Sequence, residues 1–396
     1  MPEIARAIVV GAGIGGLTTA IALQQRGVQV TVYERRREPS ALLTGGGFML
    51  WHNAVLALRL IGLDRAVVKA GLEIGIHEFR SDRDRSLATW SVSDAADRYG
   101  APAIVLRRSE LNSLLMTEAG PDVRLGVRCI GLTQDAGGAT VRFDDGSTDT
   151  ADIVIGADGL RSTVRSELRH GHDLPPRYAG YTAWQAIAPL PGEDVVPSGT
   201  FFNLWGRGGL RFLYSRLNPD EVYWDAIVSD DVGGAMDTIH QGKVEALLDT
   251  YQRWPAVVRQ IVAATPEAAV LPIEIFDRPP DRLGPWGSGR VVLIGDAAHP
   301  MTLNLSQGAG QSIEDAVILA EMLTGSSGSS VPETVTAFEK RRLARVTDMI
   351  NTSWQIGSMG RWQSDLRVAG RNAFMRTFFG SVGRKQSYEL MMGIDF

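Results

Sequence analysis

The sequence predicts an α/β protein: a Rossmann-like parallel sheet, an inserted and mostly antiparallel sheet, and C-terminal helices. Three observations predict it. Near the start, "IVVGAGIGGLTTAIALQQRG" runs from an apolar strand through a glycine turn into a helix. From about Tyr178 to Ile275 short strands and turns dominate. The α/β texture then returns at "GRVVLIGDAAHP". A chain of 396 residues also exceeds what one compact core usually supports, so two domains are expected.

"ARAIVVGAG" reads as a buried parallel strand, short, β-branched and stopped by glycine. "GGLTTAIALQQRG" has helical spacing and a terminal glycine, and "VQVTVYE" is the next strand. Together they form one βαβ unit. "HNAVLALRLIGLDRAVVKAG" reads as one helix, capped by Asn53, with Gly62 near its end. "RRSELNSLLMTEAG" is another, with Ser109 as its cap. A hairpin turns at Ala136–Gly138, a second turn falls at Asp145–Gly146, and a buried strand follows at Ile153–Ile155.

The inserted strands are "YTAWQAIAPL", "TFFNLWG", "GLRFLYSRL" and "EVYWDAIVS", with turns at "GRGG" and "NPDE". A helical stretch, "KVEALLDTYQRWPAVVRQIVAAT", comes next. After the loop "GSSGSS", a long amphipathic helix begins at "PETVTAFEKRR", and a Met- and Phe-rich helical tail closes the chain. The expected division is residues 1–73, 98–177 and 285–355 for a nucleotide-binding domain, 74–97 and 178–284 for a substrate-binding domain, and 356–396 for a C-terminal helical segment.

Composition excludes several classes. A net charge of −5 argues against nucleic acid, which wants a basic surface. No apolar run approaches the roughly 18 residues of a membrane span, so no membrane insertion is expected. The first apolar run leads into a glycine turn rather than a cleavage site, so no signal peptide is expected. The lone cysteine, Cys129, cannot form an internal disulfide, and fits a reducing, cytoplasmic setting as a buried small residue. The six histidines are scattered without metal spacing, so no metal is expected.

The chemistry lies in three motifs. In the first, Gly11-x-Gly13-x-x-Gly16, Gly11 permits the tight turn, Gly13 lets a pyrophosphate approach the backbone, and Gly16 lets the helix pack on the strand. Glu34 ends the second strand, where a carboxylate accepts from ribose hydroxyls. Of Arg35, Arg36 and Arg37 behind it, at least one is expected to face the adenosine. In the second motif, "DIVIGADGLRSTVR", a strand runs into Asp158-Gly159. In the third, "VVLIGDAAHPMTLNLSQGAGQSIEDA", a strand ends at Asp296, Pro300 follows, and Gly308-Ala309-Gly310 opens a helix. A strand-end carboxylate suits ribityl hydroxyls, and a glycine-opened helix offers amides to an electron-rich ring edge. A simple nicotinamide domain needs neither, so the motif set points to FAD.

In this order and spacing the motifs resemble the para-hydroxybenzoate hydroxylase-like, or group A, FAD-dependent monooxygenases. "GGGFMLWHNAVLALRLIGL", "VLRRSELNSLL", "GYTAW" and "VYWDA" resemble the salicylate hydroxylase, zeaxanthin epoxidase and tetracycline-modifying branch. The resemblance covers nearly the whole chain. It implies a glutathione-reductase-type FAD domain with Glu34 and Arg35 at the adenosine ribose, and Arg108 at the pyrophosphate or ribityl region. Asp158 and Gly159 would serve FAD and transient nicotinamide, Asp296 the ribityl chain, and Gly308, Ala309 and Gly310 the flavin N1–O2 edge, beside Pro300. Gly45, Gly46 and Gly47 would leave room for the flavin to swing.

The implied reaction takes electrons from NADH or NADPH. Reduced flavin adds O₂ at C4a, and the hydroperoxide hydroxylates or epoxidises an aromatic or unsaturated small molecule. The protein would be a monomer or homodimer and needs no catalytic side chain of its own. Three positions depart from the pattern. Leu303 stands where proline is usual, which predicts a more mobile loop. Ser306 stands where glycine is frequent, and Gln185 where arginine is common after "GYTAW", which speaks against a carboxylate substrate there.

The substrate side is expected from the inserted sheet. Phe201, Asn203 and Trp205 alternate onto one face. Across the next hairpin either Arg211, Leu213 and Trp224 or Phe212, Tyr214 and Tyr223 share a face, with Trp184 of "GYTAW" nearby. Candidate substrate contacts are therefore Trp184, Phe201, Asn203, Arg211, Leu213, Tyr214 and Trp224. His299 is expected to be a hydrogen-bonded structural histidine. Two other readings compete: an FAD-dependent reductase of isoprenoid double bonds, and a non-enzymatic escort protein on the same fold. The "DGLRSTVR" and "GYTAW" segments favour the monooxygenase.

Overall fold

The structure, a computed structural model, describes residues 4–38, 46–325 and 329–392. A six-stranded sheet forms one half. Its order is Gly287–Ser288, Val291–Leu293, Ile153–Gly156, Arg6–Val10, Gln29–Glu34 and Val123–Leu125. All neighbours are parallel except the Gly287–Ser288 edge. The central strands are buried on both faces, which explains their unbroken β-branched runs. The Ile14–Gln24 helix packs against the Gly308–Thr324 helix beside this sheet.

The first glycine turn is sterically required. Gly11 has φ +107°, and a Cβ there would lie 2.5 Å from the Ala157 carbonyl oxygen. A Cβ on Gly16 would lie 2.0 Å from the Gly11 oxygen, so only glycine lets this helix start so close to the turn.

Helix boundaries differ from expectation in three places. The stretch after Trp51 is two helices, His52–Arg59 and Asp64–Ala70, because Gly62 turns the chain at φ +75°. Asn53 lies inside the first of these, with Trp51 at its N-cap. Ser109 likewise lies inside Arg108–Ala119, which starts after Arg107. The helical stretch after the inserted strands divides into Lys243–Thr250 and Ala256–Ala264, because Pro255 cannot continue the first.

The other half is a seven-stranded sheet, ordered Leu271–Asp277, Arg177–Pro189, Glu221–Ser229, Arg211–Asn218, Thr200–Trp205, Ile76–Ser81 and Ser86–Ser91. Its pairs are antiparallel except Thr200–Trp205 with Ile76–Ser81. One face packs on the Lys243–Thr250 and Ala256–Ala264 helices through Trp184, Phe212, Tyr214, Trp224, Tyr251 and Val258. The opposite face carries Phe201, Leu213, Tyr223 and Ile227.

This arrangement corrects the expected strand faces. Leu213 pairs with Asp225, and Tyr214 with Trp224. A bulge between Arg216 and Asn218 shifts the hairpin register by one residue. Without it Trp224 would share the face of Arg211 and Leu213; with it, Tyr223 and Asp225 take that place. Trp184, Tyr214 and Trp224 therefore point into the helix-packed core rather than toward the cavity. The Trp224 indole N–H is satisfied there, donating to Thr265 Oγ1 at 2.9 Å.

The Val331–Gly360 helix opens on a reciprocal cap between Ser330 and Glu333. The tail then covers the exposed Ser86–Ser91 edge. Phe379 meets Trp90 at 4.8 Å and Phe79 at 5.2 Å between ring centroids. Among the described residues no helix is long and apolar enough to cross a membrane, and no cluster of candidate metal ligands occurs.

Candidate active site

Two adjoining cavities run along the C-terminal ends of the parallel strands, where open α/β sheets bind ligands. The first, about 520 Å³, is lined by Gly11, Gly13, Glu34, Arg35, Arg36, Asp158, Gly159 and Arg161. The second, about 420 Å³, is lined by Gly13, Gly46, Gly47, Arg108, Asp296, Gly308 and Ala309, and reaches the inner face of the seven-stranded sheet. Gly13, Ala157, Gly159 and Leu160 line both, so the two form one trough.

Each wall of the trough is set by local structure. The buried Glu34 carboxylate accepts from Ala12 N at 3.0 Å and Arg36 N at 2.9 Å, which fixes it at the strand end. A Cβ on Gly13 would meet nothing within 4 Å, so the backbone there is open to a close ligand. Asp296 follows Val291–Leu293 in a short turn and is open to the trough, yet ringed by protein. This enclosure raises its pKa above the usual carboxylate value, opposed by the charges of His299, Arg108 and Arg165. Gly308 and Ala309 open a 17-residue helix and line the trough, so its N-terminal amides favour an electron-rich ring edge.

An extended dinucleotide fits these features: a carboxylate for ribose at one end, bare glycine backbone in the middle, and a second carboxylate and a helix N-terminus at the other end. A family model described as "FAD binding domain" matches residues 5–353. The chain belongs to that family. It is an FAD-dependent monooxygenase of group A. The monooxygenase is 35% identical over 370 residues to the aurachin C monooxygenase/isomerase of Stigmatella aurantiaca, covering 93% of each chain. It is 30% identical over 390 residues to the 2-heptyl-3-hydroxy-4(1H)-quinolone synthase of Pseudomonas aeruginosa, covering 98% of each. Among solved structures, Klebsiella pneumoniae HpxO complexed with FAD and uric acid superposes with a TM-score of 0.86 at 26% identity, covering 98% of this chain and 95% of that one.

Some expected cofactor residues have other partners. Asp158 lines the trough, but its oxygens already accept from Ser162 Oγ at 2.5 Å, Thr163 N at 2.7 Å and Val164 N at 3.2 Å. It holds the start of the Thr163–Leu168 helix and thereby shapes the wall. Pro300 is buried away from the trough, and its carbonyl accepts from Arg278 N. Gly310 is buried toward Asn53 and Gln307 instead of the trough. Gly45 lies outside the described residues, while Gly46 and Gly47 line the second cavity. Gly47 has a steric role: a Cβ there would lie 2.8 Å from Cγ of Tyr223.

On the substrate side Phe201 and Leu213 line the second cavity. Asn203 and Arg211 are buried on the same sheet face, behind its wall. Arg211 Nη1 donates to Asn304 Oδ1 at 2.5 Å, and its guanidinium stacks 4.5 Å from the Trp205 ring. Burial lowers its pKa to about 10. The two N–H groups of Asn304 Nδ2 are in turn shared among Tyr181 Oη, Thr302 Oγ1 and the Ser353 carbonyl, each 2.9 Å away. These bonds tie down the loop that Leu303 leaves without proline's fixed φ. Ser306, where glycine is frequent in the family, takes the left-handed φ of +52°.

Sequence reasoning missed Asp225, Tyr223 and Gln185 as a group. Gln185 and Asp225 are directly opposite on neighbouring strands. The Tyr223 hydroxyl donates to Asp225 Oδ2. Burial is the main cause that raises the Asp225 pKa to about 7, opposed by Tyr223, Gln185 and the Arg211 charge. Alternation within "VYWDA" could have paired Tyr223 with Asp225, but the bulge hid which face they take. His299 is structural as expected: Nε2 pairs with Asp315 Oδ2 at 2.6 Å.

Proposed function

We propose that this monooxygenase uses NADH or NADPH and O₂ to hydroxylate a neutral, largely apolar aromatic ring, with a nitrogen-containing fused ring as the leading class. Residues 74–97 and 178–284 would supply the substrate-binding part. The observation that carries this reading is the character of the second cavity. Phe48, Met49, Phe201, Leu213, Ile273 and Ile275 make its substrate end apolar. Among the described residues, Arg108 at the cofactor end is the one cation that lines it. A carboxylate substrate would meet no cation in the sheet lining among the described residues, because Gln185 occupies the position where a cation is common and Arg211 lies behind the wall. The quinolone in the name of one relative supports a fused nitrogen ring.

Bound FAD supplies activation of O₂ by reduced flavin. Glu34 and Asp296 would hold its sugar and ribityl hydroxyls, with Gly308 and Ala309 offering amides to the ring. The apolar walls exclude water and hold the substrate ring in place.

The test is turnover under ¹⁸O₂ with NADH or NADPH. One labelled oxygen per product is expected, and anaerobic flavin reduction at least about tenfold faster with substrate than without, a bias of about 1.4 kcal/mol. A product that gains hydrogen and no oxygen would overturn this reading in favour of a double-bond reductase. A protein that binds no FAD would point to the escort class.

A further inference from the structure

We infer that Oδ1 of Asp225 recognises the substrate by accepting a hydrogen bond from a ring N–H or ring O–H. This rests on the monooxygenase reading above and narrows its substrate class to rings that carry such a donor beside an apolar body.

Asp225 is 3% exposed and lines the second cavity from the floor of the sheet. Its two oxygens differ. Oδ2 accepts from the Tyr223 hydroxyl, whereas Oδ1 is buried with no hydrogen-bond partner among the described residues. Buried carboxylate oxygens are normally satisfied, because leaving one bare forfeits its hydration without return. Two side chains approach Asp225, Gln185 from the strand opposite and Arg211 from the same sheet face, and neither closes a hydrogen bond on Oδ1 among the described residues. The Gln185 amide lowers the Asp225 pKa through its hydrogen-bonding approach, yet the contact does not close into a hydrogen bond at Oδ1. Arg211, the charge that acts on Asp225, gives Nη1 to Asn304 and stacks on Trp205.

The carboxylate is also preset. Tyr223 is confined by Gly47, where even a Cβ would collide with its ring, so the tyrosine and the acid it holds have a fixed orientation. Leu213 pairs with Asp225 across the sheet and supplies apolar surface beside it. A bare buried acceptor flanked by apolar side chains selects a ligand with a matching donor, since a ring lacking it leaves the acceptor bare.

The experiment titrates the FAD-loaded enzyme with two matched pairs, following the flavin absorbance: 4(1H)-quinolone against 1-methyl-4(1H)-quinolone, and 1-naphthol against 1-methoxynaphthalene. In at least one pair the donor ring should bind about tenfold or more tightly than its methylated form. A preference in the quinolone pair assigns N–H; one in the naphthol pair assigns O–H. Asp225→Leu, checked for FAD content, should reduce the preference to about twofold or less. Wild-type enzyme that binds both members of both pairs alike overturns the inference without recourse to any variant, as does an FAD-loaded Asp225→Leu enzyme that keeps the preference. No preference in the wild-type enzyme, with ¹⁸O still entering product, removes the acceptor role and leaves the monooxygenase reading intact. A retained preference without oxygen incorporation does the reverse.

Discussion

Two buried polar clusters flank the cavity, and they differ in how fully their hydrogen bonds close. The first lies on the Gly308–Thr324 helix. Arg342 donates to Asp315 at 2.8 Å, Glu314 at 2.8 Å and Gln311 at 2.6 Å. Asn53 and Arg345 also reach Glu314, while His299 and the Gly295 amide reach Asp315. Burial alone would raise the Asp315 pKa, but the His299 and Arg342 charges outweigh it and hold it near 2. The second cluster lies on the inner face of the seven-stranded sheet. There, among the described residues, Asn203 Oδ1, Asp225 Oδ1, both His77 ring nitrogens, and Nε and Nη2 of Arg211 have no hydrogen-bond partner. A closed network holds a scaffold in one geometry. Open polar atoms in and behind a cavity wall, with Asp225 the member that lines the cavity, are stability given up beside a binding site.

The comparison breaks first at Arg342. Arg342→Leu leaves Glu314 and Asp315 buried with a main counter-charge gone, and should cost about 3–5 kcal/mol in denaturant unfolding of the holoenzyme. A loss below about 1 kcal/mol would mean that the closed network is not the scaffold.

Asp296 sits where the two regions meet, open to the trough beside the closed cluster. A charge-assisted bond to cofactor hydroxyls is worth roughly 1.5–3 kcal/mol. Asp296→Ala should therefore weaken FAD binding by about tenfold or more, measured by equilibrium dialysis, while the apoprotein keeps its unfolding midpoint. Unchanged FAD affinity would remove Asp296 from the site.

His77 tests the open cluster through pH. Burial, aided by the Arg211 charge, lowers its pKa to about 3 among Phe79, Trp90 and Phe201. The folded chain then keeps His77 neutral while the unfolded chain takes a proton near the ordinary value of about 6.5. Stability is kept above that value and lost as pH falls from about 6.5 toward 3. His77→Phe removes two unpartnered nitrogens, so at pH 8 it should match wild type within about 1 kcal/mol. Below pH 6.5 the variant should become progressively the more stable of the two. Parallel stability curves across that range would show that His77 is not held neutral.

The smallest effect belongs to Ser306. Its left-handed backbone favours glycine in the folded state, but glycine is also freer when unfolded. Ser306→Gly should shift stability by less than about 1 kcal/mol. A larger loss would give the Ser306 hydroxyl a structural bond that the loop does not otherwise need.

The cofactor end of the site was far more legible in the sequence than the substrate end. Gly11 and Gly16 are readable because no other side chain fits their backbone, Gly13 because its bare backbone is open to the trough, and Glu34 and Asp296 because each ends a strand. Asp158 lines the trough as expected, and its oxygens also hold a helix start just downstream that the motif does not announce. The substrate end depends on which face each strand presents, and that is a register question. A one-residue bulge between Arg216 and Asn218 moved Trp224 into the helix-packed core and brought Asp225 to the cavity.

What the sequence by itself determined is the α/β architecture, the βαβ unit and the dinucleotide trough. Those follow from local rules: glycine at forbidden φ or close approach, apolar runs in doubly buried strands, and carboxylates at strand ends. What only the tertiary structure decided is the pairing of residues far apart in the chain. Arg342 finds Asp315, Asn304 fastens its loop to Tyr181 and Ser353, and Gly47 clears space for Tyr223. The physical reason is that side-chain alternation states a parity but not its sign, and sheet register sets that sign only once neighbouring strands have paired.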